Sequence, residues 1–161
     1  MLVRFFSAAL RGVEATEVEV EVNHAQRDQF KMTIVGLPDA AVRESLERML
    51  SAISNSAMKF GGGINTINLA PADLKKEGPS FDLPIAIATA AAGMEEEIAN
   101  MDQYCLVGEL ELDGKLRPVQ GVISIALEAR RTGRARLVVP ALNAKGAGGR
   151  VGQEAQALYQ L

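Results

Sequence analysis

The chain has 161 residues, enough for one domain with a sizeable core and too few to suggest two. Hydrophobic residues make up 48 % and charged residues 23 %, with 17 basic and 20 acidic side chains. The net charge of −3 excludes a general positive field for sequence-independent nucleic-acid binding, so any such contact must be local. No apolar run approaches the roughly 18 residues that a membrane span requires. "MLVRFFSAALRG" carries arginine inside its short apolar stretch and makes a poor secretory signal, so the expected setting is cytoplasmic, with no membrane partner.

In chain order, "VRFFSAAL" and "VEATEVEVEVNH" read as two strands joined near Gly12. In the second, Glu17, Glu19 and Glu21 alternate with Val18, Val20 and Val22, which predicts a wet glutamate face and a buried valine face. "FKMTIVG" is a third strand. "GLPD" closes it and places Asp39 to cap a helix through about Asn55. That helix buries Val42, Leu46, Met49, Leu50 and Ile53. Arg43, Glu44, Glu47 and Arg48 form its solvated side, with Glu44 and Arg48 as an i,i+4 pair.

A glycine-rich turn at 61–63 leads into a strand from Ile64 to Ala70, and then to a polar loop. "LPIAIATAAA" has no polar face and predicts a central helix from about Leu83 to Ala92. "CLVGELEL" and "KLRPV" read as two strands around the hairpin signal "DG". "GVISIALEARRTG" is a helix ended by Gly133, "RLVVP" a buried strand, "NAKGAGG" a loop or frayed helix, and "AQALYQL" a last strand. The expected class is α+β, a mixed sheet with packed helices.

Little of this carries chemistry. The single cysteine, Cys105, allows neither an intrachain disulfide nor a cysteine zinc cluster. The single histidine, His24, lies in no setting that suggests an activated base, and no metal site is expected. Neither "GGG" at 61 nor "KGAGGRVG" at 145 has the lysine and spacing of a phosphate-binding loop, so both read as turns. Glu109, Glu111 and Asp113 fit an exposed acidic strand face. In "RRTGRAR", Arg130, Arg131, Arg134 and Arg136 sit at and beyond a helix C-terminus, where the dipole favours cations. They are also the candidate docking residues for nucleic acid or a partner.

Ser80, in "KKEGPSFDLPIAIA", is a candidate nucleophile. It would need a dry, neutral lysine as base, and Lys75, Lys76 and Lys115 all sit in polar segments where they should stay protonated. The competing reading makes Ser80 or Asp82 a cap for the following helix, with Pro84 in its first turn.

"GPS" before an apolar helix, "GELELDGKLRPVQGV", another helix and "RLVVP" together resemble the proteolytic domain of Lon, a Ser-Lys peptidase with a ribosomal protein S5 domain 2-like fold. By that resemblance Ser80 matches the nucleophile, while Ile123 occupies the position of the lysine, and Phe81 and Asp82 replace small residues. The resemblance therefore implies the fold without the dyad. "IVGLPDAAVRES", "INLAPADLKKEG", "FDLPIAIA" and "GELELDGKLRPVQGV" resemble, over nearly the whole chain, the N-terminal domain of magnesium-chelatase-like AAA+ proteins of the ComM and YifB type.

This second resemblance implies a single Lon-like domain over 1–161 that precedes an AAA+ module, and a homo-hexameric motor using ATP and magnesium in DNA branch migration during natural transformation. The domain itself is expected to hold no cofactor. Its partners would be its own AAA+ module, the hexamer and DNA. The motif residues are Gly36, Leu37, Pro38 and Asp39; Lys75, Lys76, Glu77, Gly78, Asp82 and Pro84; and Arg117 with Pro118. The alternative is a Lon-like peptidase that pairs Ser80 with a displaced lysine.

Overall fold

The computed structural model describes residues 1–56, 62–94 and 97–144. The expected last strand and the "AKGAGG" loop beyond Ala144 lie outside them, as does Gly61. Strands β1 (Leu2–Arg11) and β2 (Glu14–Ala25) form a hairpin across Gly12, which adopts φ +61°. Strand β3 (Lys31–Val35) is followed by helix α1 (Ala40–Asn55) and strand β4 (Ile64–Ala70). A 3-10 turn (Pro79–Phe81) enters helix α2 (Asp82–Met94). Then come β5 (Tyr104–Leu106), β6 (Glu109–Leu110), β7 (Leu116–Arg117), α3 (Val122–Arg131), β8 (Arg136–Val138) and a short α4 (Ala141–Ala144).

Six of these strands make one mixed sheet in the order β3-β4-β2-β1-β5-β8. β2 pairs antiparallel with β1 and β4, while β3 runs parallel to β4 and β5 parallel to both β1 and β8. Strand alternation divides the core between the two faces. Val3, Phe5, Val18, Val20, Val22, Ile67 and Leu69 pack with Val42, Met49 and Ile53 of α1 and with α2. Ala8, Cys105 and Leu137 point the other way, onto Val122, Ile125 and Ala129 of α3. The mixed α+β class is therefore the observed one, and α2, buried along most of its length, is the central helix its composition indicates.

The expected single strand "CLVGELEL" is two. After β5 the chain leaves the main sheet at Gly108, whose N–H donates to the Ser80 carbonyl at 2.9 Å and whose carbonyl accepts from Leu83 N at 3.0 Å. A Cβ at Gly108 would lie 3.0 Å from the Leu116 side chain and 3.2 Å from that of Leu83, so the crossing over the start of α2 is close and a larger residue would have to push these side chains aside. β6 then forms the predicted hairpin with β7 as a separate two-stranded sheet.

The glutamate face is also drier than alternation suggests. Glu17, Glu19 and Glu21 are half-buried, held by Arg134 and Arg4. Among the described residues no helix is long and apolar enough to cross a membrane, and no group of three or more His, Cys, Asp or Glu side chains could hold a metal ion.

Candidate functional site

Three segments, the first of them far in sequence from the other two, converge at the entrance of α2. The first is the turn Gly36–Asp39 between β3 and α1. Gly36 has φ +101°, and a Cβ there would fall 2.0 Å from the Leu69 carbonyl oxygen, so no other residue fits. Asp39 caps α1, accepting from Val42 N at 2.8 Å through Oδ1, and its Oδ2 accepts from Gly78 N at 3.1 Å.

The second segment is Leu74–Gly78. Lys76 N donates to the Leu37 carbonyl at 3.1 Å, and the Lys76 carbonyl accepts from Asp39 N at 3.0 Å. The Lys76 side chain does not share the polar surroundings expected from its segment, for it is 0 % exposed. Its Nζ donates to the Gly36 carbonyl at 2.8 Å and to the Pro71 carbonyl, and burial lowers its pKa. Lys75 and Lys115 do stay exposed, beside Glu77 and Asp113.

The third segment carries Ser80. Its half-buried hydroxyl makes no hydrogen bond among the described residues, and its backbone carbonyl is held by Gly108 N. The expectation of a Ser80 cap is therefore corrected: the side chain caps nothing. Nor does Asp82 cap the helix. It is 0 % exposed, and it accepts from Arg48 Nε at 2.6 Å, Arg48 Nη2 at 3.0 Å, Leu110 N at 3.0 Å and the Ser45 hydroxyl. The carboxylate thus ties α1, α2 and β6 together, and Arg48 departs from the solvated side on which its spacing placed it. Pro84 is in the first turn, as expected.

On α3, Ile123 is 64 % exposed, with its side chain directed to solvent. Among the described residues no lysine bonds to Ser80, and the two nitrogen bonds of Lys76 are both to carbonyls. Among these residues no Ser-Lys hydrogen bond is therefore formed at Ser80.

Next to this centre, Arg48, Glu109, Leu110, Glu111, Leu112, Asp113 and Arg117 line an open cleft of about 450 Å³. Within it Arg117 lies 3.2 Å from Glu111, and Asp113 lies 3.3 Å from Lys115. Pro118, just past the hairpin, is exposed.

The four arginines do not form one open patch. Arg134 donates to both oxygens of Glu17 at 2.8 Å, donates to the Asp102 carbonyl, and lies 3.4 Å above the Phe6 ring. Burial alone would raise the Glu17 pKa, but hydrogen bonds from Arg134 and Thr132 outweigh it and hold the value below the usual range. Arg131 forks onto Glu128 at 2.7 and 2.8 Å, and Arg136 donates to the Tyr104 hydroxyl. Arg130 is exposed. Two of the four charges are thus committed to carboxylates of the fold. Cys105 is buried, with its thiol pKa pushed up to about 12, which makes it inert.

Residues 18–143 match the family described as subunit ChlI of Mg-chelatase. The chain belongs to that family. This ChlI-family chain is 48 % identical to the YifB protein of Salmonella typhimurium over 136 residues, covering 84 % of this chain and 26 % of that protein. It is 42 % identical to competence protein ComM of Haemophilus influenzae over 139 residues, 86 % of this chain and 27 % of that one. Lon protease of Halothermothrix orenii is more distant, at 28 % over 122 residues, 71 % of this chain and 15 % of the protease. The Lon-like character of the α+β domain agrees with that match. The ChlI-family chain thus spans about a quarter of the length of these YifB and ComM relatives.

The significance of Asp82 was legible in the sequence only as a cap. Its partner Arg48 lies 34 residues away, and nothing local in the sequence points to it.

Proposed function

We propose that the chain is a non-catalytic N-terminal domain of a magnesium-chelatase-like AAA+ protein of the ComM and YifB type. In this reading it assists the assembly or DNA engagement of a hexameric, ATP- and magnesium-dependent branch-migration motor used in natural transformation and recombination. One observation supports the non-catalytic part: among the described residues no base bonds to the Ser80 hydroxyl, and Ile123 stands where the resemblance puts the lysine. Identity to ComM and YifB across most of the chain supports the rest.

Titrating the chain into labelled single-stranded and branched DNA at low salt separates the two roles. Binding that weakens with salt and with Arg130→Glu supports DNA engagement by this domain. An absence of binding assigns the domain to assembly. Deleting the matching segment from full-length ComM should then disperse its oligomer, and an oligomer that survives the deletion contradicts that role.

A second reading, a Lon-like peptidase, is favoured by one finding, the buried Lys76 four positions before Ser80 with a lowered pKa. Its amine is held by the Gly36 and Pro71 carbonyls, so this chemistry would require the loop to release it.

A further inference from the structure

We draw no further inference here: the strongest candidate, the exposed apolar stripe of Ile123 and Leu127 on α3, carries nothing because nothing in the structure shows what covers it.

Discussion

Arg48 grips Asp82 in a two-point ion pair, Nε to Oδ2 at 2.6 Å and Nη2 to Oδ1 at 3.0 Å, across 34 residues of sequence. Asp82 is fully buried, while the Arg48 side chain is 20 % exposed at the edge of the hairpin cleft. Water is thus excluded from the carboxylate and partly from the guanidinium, which makes the pair costly to break from either side. Asp82→Ala would strip Arg48 of its partner and leave Leu110 N and the Ser45 hydroxyl without an acceptor. A loss of about 3–5 kcal/mol is expected, read as a lower urea midpoint. Arg48→Ala should cost a similar amount, because it leaves the buried carboxylate uncompensated. The double variant should cost much less than the sum, since the two residues act as one unit.

Lys76 is a second long-range tie. Replacing it with methionine keeps the volume but leaves the Gly36 and Pro71 carbonyls without their donor, for an expected loss of about 1–3 kcal/mol. The variant should also change the response to pH. Burial lowers the Lys76 pKa below that of a lysine in the unfolded chain, about 10.4. Between the folded value and about pH 10.4 the unfolded chain binds more protons at this site, so stability rises with pH there. Below both values the contribution is flat. Urea titrations at increasing alkaline pH should therefore show the Lys76 chain gaining stability relative to Lys76→Met.

Arg134 ties β2 to the segment after α3, whereas Arg130 lies exposed at the helix end. Arg134→Ala removes the fork onto Glu17 and the stacking on Phe6, both partly buried, and should lower stability by about 1–3 kcal/mol. Arg130→Ala, on the exposed end of α3, should change stability by less than about 0.5 kcal/mol. If the helix end docks DNA, Arg130→Ala should weaken binding in an anisotropy titration, with a shallower salt dependence.

The sheet was legible because its signals are local. The Glu-Val alternation of β2, the Asp39 cap and the glycine at 133 each determine an element from a few adjacent residues. What escaped the sequence is what depends on distant partners. "CLVGELEL" reads as one strand by periodicity, yet the approach of Gly108 to the start of α2 divides it. Lys76 sits in a polar run, and only the fold brings the carbonyls of Gly36 and Pro71 around its amine. Asp82 and Arg48 each have a sound local explanation, as cap and as solvated face, and tertiary pairing overrides both.

Ser80→Ala gives the most direct test of the central claim that the domain has kept the position of a nucleophile without its chemistry. The hydroxyl has no hydrogen-bond partner among the described residues, so stability should move by less than about 0.5 kcal/mol. The deciding measurement is incubation of the chain, wild type and Ser80→Ala in parallel, with an unfolded protein substrate across neutral and alkaline pH. No cleavage by either is the predicted result. Cleavage by the wild type that disappears in Ser80→Ala would contradict the account and make Lys76 the first candidate for its base.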